Sequence, residues 1–117
     1  MLTFLNCSIF TDVDVVHPPT DQTVNEYKNI TLSCEASSNT NVTITWFLED
    51  KQISETDNRI SITTNGFVSN ITIAYAKASD VGLYTCNATS AETGLSDVST
   101  AGKVTVNCKL NLLVVFK

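Results

Sequence analysis

Histidine is almost missing from this chain: only His17 is present, beside Pro18 and Pro19. A hydrolytic triad needs a base held in place by a third group, and a lone histidine next to two prolines reads as an exposed loop residue. Glycine is sparse too, four residues in 117, and none of them builds a Gly-x-Ser-x-Gly elbow or a phosphate-cradling loop. Basic residues number seven against twelve acidic ones, a formal charge of -5. They lie scattered along the chain, so no basic face forms to displace counterions from nucleic acid or to dock on anionic lipid. Asp12 and Asp14 alternate on one extended stretch, but two carboxylates without further oxygen ligands make a poor calcium site. These gaps exclude a catalytic site, a metal, a cofactor and nucleic acid; a membrane enters only through a parent chain.

Long hydrophobic runs are also lacking, since none approaches the ~18 residues of a membrane span. Met1 to Phe10 is apolar like a signal peptide, but has no basic start and no small-residue cleavage site. Leu110 to Phe116 is apolar and short, and reads equally as a truncated anchor, a last strand or a gene-model artefact. With no repeat and no low-complexity linker, the length allows one domain, placed at residues 12–107. Residues 1–11 and 108–117 are then an N-terminal extension and an apolar tail of uncertain status. The chain is 43% hydrophobic, enough for burial to offset the ordering of the backbone.

What is present is alternation with period two. Ile30, Leu32, Cys34 and Ala36 take one face of a strand while Thr31, Ser33 and Glu35 take the other. Val42, Ile44, Trp46 and Leu48 repeat the pattern, as do Ile60 and Ile62, Ile71 and Ile73, Tyr84, Cys86 and Ala88, and Val104 and Val106. One apolar and one polar face is the pattern of antiparallel sheets wet on one side. Strands are expected at 12–16, 22–25, 29–36, 42–49, 52–54, 59–64, 67–74, 82–89 and 98–107, an all-β sandwich or barrel. The prolines at 18 and 19 separate the first two, which belong at sheet edges. Asn65-Gly66 predicts a two-residue type I′ hairpin, with Thr64 opposite Phe67, Ile62 opposite Ser69 and Ile60 opposite Ile71.

Four Cys in a short chain point to disulfides and an oxidising compartment, and no two lie close enough for the usual zinc patterns. Sequons for N-glycosylation occur at Asn6, Asn29, Asn41, Asn70 and Asn87, none with a central proline. With eleven Asn and about a quarter of positions Ser or Thr, chance supplies about two or three, so five is a mild excess.

Leu32-Ser33-Cys34, then Trp46, then Asp80-Val81-Gly82-Leu83-Tyr84-Thr85-Cys86 form one constellation. It resembles the immunoglobulin superfamily, and the interval of 52 between Cys34 and Cys86 is similar to its intermediate, or I-set, type. The resemblance implies a two-sheet antiparallel β-sandwich in which Trp46 packs on a Cys34–Cys86 bridge and Tyr84 makes a tyrosine corner. It also implies an Arg59–Asp80 ion pair across one end, a role that suits a bidentate guanidinium. A bridge closing some fifty residues would stabilise the fold by roughly 4 kcal/mol. Tyr27 departs from the family, which commonly carries Gly after Glu26, and puts that turn in question. Cys7 and Cys108 would fall at opposite ends of the sandwich, too far for a disulfide unless residues 1–10 fold back; otherwise each is free or pairs with a neighbouring domain or chain.

All these signature residues hold a core, so function must come from the surface. Asn29 and Asn70 face out on one sheet, while Asn41 and Asn87 would shield one end. What remains for contact is the area of Phe47, Glu49, Lys51 and Gln52, or the loop from Glu92 to Asp97 if Asn87 is bare. The resemblance implies a protein-binding module of an extracellular adhesion or recognition protein, one unit of a tandem array. Its partner would be another immunoglobulin-type domain, homophilic or heterophilic. A ligand-binding receptor ectodomain and an intracellular muscle-type domain with reduced Cys34 and Cys86 are the alternatives.

Overall fold

The computed structural model describes residues 13–108. Ten strands follow one another: β1 (Val13–His17), β2 (Gln22–Asn25), β3 (Ile30–Ser38), β4 (Val42–Leu48), β5 (Lys51–Gln52), β6 (Ile60–Asn65), β7 (Val68–Ile73), β8 (Gly82–Ser90), β9 (Ser96–Val98) and β10 (Gly102–Asn107). One short 3-10 turn, Ala78–Asp80, precedes β8. They form two sheets, β1-β3-β7-β6 and β2-β10-β8-β4-β5, with β9 attached to β8. The fold is the two-sheet β-sandwich that the resemblance implies, and not the barrel that the alternation also allowed. β1 and β2 do lie at edges, one in each sheet, so the chain changes layer across Pro18 and Pro19. β2 then runs parallel to β10, the one parallel pairing among the described strands.

The alternating residues meet in the space between the sheets. Ile30, Leu32, Cys34 and Ala36 of β3 are buried, as are Tyr84, Cys86 and Ala88 of β8, Ile71 and Ile73 of β7 and Val104 of β10. The polar atoms that enter this core are paired. Trp46 Nε1–H donates to Ser69 Oγ at 2.9 Å, and Thr64 Oγ1 donates to the same oxygen at 3.0 Å. A buried indole without that acceptor would carry an uncompensated desolvation cost of about 1–3 kcal/mol. Cys34 and Cys86 are joined across the layers with their Cα atoms 6.5 Å apart.

Two expectations need correction. The β6–β7 hairpin turns at Gly66-Phe67 rather than Asn65-Gly66: Thr64 opposes Ser69, Ile62 opposes Ile71 and Ile60 opposes Ile73. Gly66 has φ +63 at the first loop position and Phe67 does not share the positive sign, the pattern of a type II′ turn. The shift is two residues, so each side chain keeps its face, and Ile62 now opposes isoleucine instead of serine. The last strand, expected unbroken over 98–107, divides into β9 and β10 with a one-residue slip in register against β8. Ser99 spans the break: its N–H donates to Cys86 O at 2.8 Å and its Oγ accepts the Cys86 N–H at 3.0 Å.

Candidate interaction surface

The end of the sandwich carrying the β2–β3, β4–β5 and β7–β8 connections is built around Arg59, the residue just before β6. Its Nη2 donates to Asp80 Oδ1 at 3.0 Å and its Nη1 to Asp80 Oδ2 at 3.1 Å, a two-armed pair. Nη1 also donates to the carbonyls of Ala74 and Tyr75. Asp80 is buried and accepts the Lys77 N–H as well. The hydrogen bond to Asp80 raises the guanidinium further above its ordinary value, against the opposing effect of burial. Tyr84 O–H donates to the Asp80 carbonyl at 2.6 Å, a tyrosine corner, and burial pushes that phenol well above the usual tyrosine range. These residues fasten strand ends and offer no open valence to a ligand.

Glu49, one of the residues expected at a contact surface, also fastens the end of the sheet. Glu49 and Asp50 both hold positive φ, 50° and 67°, in the two-residue turn between β4 and β5. That is the type I′ signature, carried here without glycine. The Glu49 carboxylate accepts the Leu83 N–H at 2.7 Å while its own N–H donates to Leu83 O at 2.9 Å. A Cβ on the neighbouring Gly82 would stand 2.7 Å from that carboxylate, and Gly82 has φ +150. Glycine at 82 is therefore the residue that lets Glu49 close the end of the sheet. Carboxylates act this way elsewhere: Asp97 accepts the Val15 N–H, Asp21 the Lys103 N–H and Glu55 the Ile62 N–H. Much of the chain's acidity covers backbone donors that sheet pairing leaves open.

Phe47, Lys51 and Gln52 lie close together on β4 and β5. Phe47 is half-buried on β4, opposite Gln52 on one side and Thr85 on the other, while Lys51 and Gln52 are exposed. Along the same outward face Thr43 opposes Thr89, Thr45 opposes Asn87, and Asn87 opposes the exposed Val98. Apart from Lys51, none of these residues is charged. The outward face of the other sheet carries Thr31, Ser33 and Glu35 on β3 and Asn70 on β7. Asn29, Asn41 and Asn70 are exposed, whereas Asn87 is half-buried with its Oδ1 enclosed and unpaired. Asn87 thus stands within the sheet face rather than at its end. Asn6 and Cys7 lie outside the described residues, as does Asp12; Cys108 is exposed. Among the described residues no three of His, Cys, Asp and Glu gather as a metal site, and no helix is long and apolar enough to cross a membrane.

The family described as Immunoglobulin I-set domain matches residues 13–111. The chain belongs to that family. Hemicentin-1 of Mus musculus is 37% identical over 87 residues, 68% of this chain, and Hemicentin-1 of Homo sapiens is 33% identical over the same length. The chain spans only 2% of the length of either relative. The structure is similar to an immunoglobulin domain of a titin–obscurin-like 1 complex, with TM-score 0.74, 21% identity and coverage of 85% of this chain and 97% of that one. It is similar also to the N-terminal Ig1-2 module of the Drosophila receptor protein tyrosine phosphatase DLAR, with TM-score 0.76, 21% identity, 85% of this chain and 50% of that one. At such identity the structures establish the immunoglobulin fold alone.

Proposed function

We propose that this I-set domain is a non-catalytic protein-binding module of a cell-surface adhesion or recognition protein, one unit of a tandem array. Its contact surface is the outward face of β4, β8 and β9 together with the β5 edge. The observation that carries this reading is that the outward side chains of β4, β8 and β9 carry no charge in a chain of formal charge -5, Lys51 at the β5 edge being the one exception. A face of Thr43, Thr45, Phe47, Thr85 and Val98 can meet a similarly acidic immunoglobulin-type domain, homophilic or heterophilic, without like-charge repulsion. The disulfide and the exposed sequon asparagines support an extracellular site of action. In this reading Asn29, Asn41 and Asn70 carry glycans, and Asn87 is bare so that the face stays open.

Two measurements test it. Non-reducing peptide mapping of the protein from its natural source should give a linked Cys34–Cys86 peptide, glycans at Asn29, Asn41 and Asn70, and unmodified Asn87. Free thiols at both cysteines would assign an intracellular structural domain instead, and a glycan on Asn87 would remove the proposed face. Beads coated with the glycosylated chain should aggregate with one another or with beads carrying a neighbouring domain of the parent protein. Phe47→Asp should abolish that aggregation while the disulfide remains intact.

A further inference from the structure

Of the eleven asparagines in the chain, Asn65 alone is followed by glycine. It ends β6 and pairs with Val68, so the turn itself is Gly66-Phe67. Asn65, Gly66 and Phe67 are all exposed. The Gly66 N–H takes part in none of the turn and loop hydrogen bonds among the described residues. A Cβ at position 66 would meet nothing within 4 Å, so the space beside that nitrogen is open. Asn65-Gly66-Phe67 is not a sequon, so no N-linked glycan occupies the Asn65 amide. A side-chain carboxamide and the next backbone nitrogen can close a five-membered ring, and such tethering favours reaction strongly. A side chain on the following residue obstructs the approach. Glycine has none, and it reaches backbone conformations that other residues avoid.

Behind this open turn lies a route to the core. Thr64, the neighbour of Asn65, points its hydroxyl inward: Oγ1 donates to Ser69 Oγ at 3.0 Å. The same oxygen accepts Trp46 Nε1–H at 2.9 Å, and both Ser69 and Trp46 are fully buried. One peptide bond therefore separates Asn65 from a hydrogen-bonded chain that ends at the indole.

We propose that Asn65 is a site of spontaneous covalent modification whose product loosens the core through Thr64. The deprotonated Gly66 nitrogen attacks Asn65 Cγ, and the new C–N bond displaces Nδ2, which takes up a proton and leaves as ammonia. The proton lost by the Gly66 amide balances the one that ammonia carries away. Water then opens the succinimide at either carbonyl. Opening at Cγ leaves aspartate, which adds a negative charge and keeps the backbone. Opening at the backbone carbonyl leaves isoaspartate, whose main chain runs through Cβ and is longer by one carbon. The Thr64–Ser69 and Asn65–Val68 pairs cannot both keep their places across that insertion. Thr64 Oγ1 then withdraws from Ser69, and the acceptor of the buried indole N–H loses the partner that orients it. The site lies on the sheet opposite the proposed contact face and does not depend on that reading.

The test ages the full, disulfide-linked chain at mildly alkaline pH without denaturant. Conversion is mapped by peptide mass spectrometry with isoaspartyl methyltransferase labelling. Asn39 and Asn58 are exposed, precede Thr40 and Arg59, and serve as internal references. Asn65 should convert at least about tenfold faster than either, because only its neighbour lacks a Cβ. Equal rates would overturn the proposal. A rate that climbs with the unfolded fraction in low urea would overturn it too, since the reaction would then belong to the unfolded chain. The purified isoaspartate form is next compared with Asn65→Asp by acrylamide quenching of Trp46, the single tryptophan. Asn65→Asp should quench like the natural chain, and the isoaspartate form should quench faster. Identical quenching in all three, or faster quenching in Asn65→Asp as well, would overturn the link from backbone insertion to the core.

Discussion

The two ends of this sandwich solve the same problem with different residues. At the end gathering the β3–β4, β6–β7 and β8–β9 connections, positive φ falls on Gly66 and Gly94, where a Cβ would meet nothing within 4 Å. Hydroxyls hold the loops there: Thr40 and Ser90 are 2.6 Å apart, and Ser90 Oγ accepts the N–H groups of Glu92 and Thr93. At the opposite end the left-handed positions belong to Tyr27, Glu49, Asp50 and Tyr75, and a charged cluster fastens the strands. One end takes the residue that costs the backbone least. The other keeps side chains where glycine would be easier, and there the Glu49–Asp50 turn places the Glu49 carboxylate on the Leu83 N–H beside Gly82.

Removing the charged fastening should separate the ends most sharply. Arg59→Ala leaves Asp80 buried without its partner and frees the Ala74 and Tyr75 carbonyls, and should cost about 3–5 kcal/mol in urea unfolding. Arg59→Lys should recover only part of this, because a single ammonium cannot hold both carboxylate oxygens and both carbonyls. High pH strikes the same end through Tyr84. Its folded pKa lies above the unfolded value, so its contribution is fully present below about 10 and is lost as pH rises through the folded value. Until the folded phenol ionises, the loss should approach about 1.4 kcal/mol per pH unit. Urea midpoints above pH 10 should therefore fall faster in the natural chain than in Tyr84→Phe, which starts lower for want of the bond to Asp80. Parallel curves would remove Tyr84 as the cause.

How far these features could be read in advance depends on how local their cause is. The buried faces follow from alternation, which the sequence displays directly, while the two layers and the packing of Trp46 on Cys34–Cys86 follow from the resemblance its motifs carry. The hairpin turn does not, because a shift of two residues preserves every facing; only the pairing of Ile60 with Ile73 and Ile62 with Ile71 distinguishes the registers. Glu49 reads as a surface contact residue until Leu83, 34 positions later, brings its N–H to the carboxylate. The gap between β9 and β10 is hidden for the same reason: Ser99 substitutes for a ladder partner of Cys86 that has no mark in its own neighbourhood. The departure at Tyr27 was visible as an unusual residue, and the structure turns it into a conformational fact, φ 72°.

Exchanging the two solutions is the finest way to probe the contrast. Gly66→Ala puts a methyl into open space, so its whole cost is the backbone one, about 1–2 kcal/mol of stability by chemical denaturation. Tyr27→Gly should do the reverse and stabilise the domain. Glycine relieves roughly 1–2 kcal/mol of left-handed strain but gives back about 0.5–1 kcal/mol through the freer unfolded chain, leaving a gain of about 0.5–1 kcal/mol. The sign carries the argument. If Tyr27→Gly raises the denaturation midpoint, tyrosine at 27 is a cost to this domain's own folding and its ring must act on something beyond the turn. A lowered midpoint would mean that Tyr27 stabilises the fold where it stands, and the two ends would differ in composition without differing in purpose.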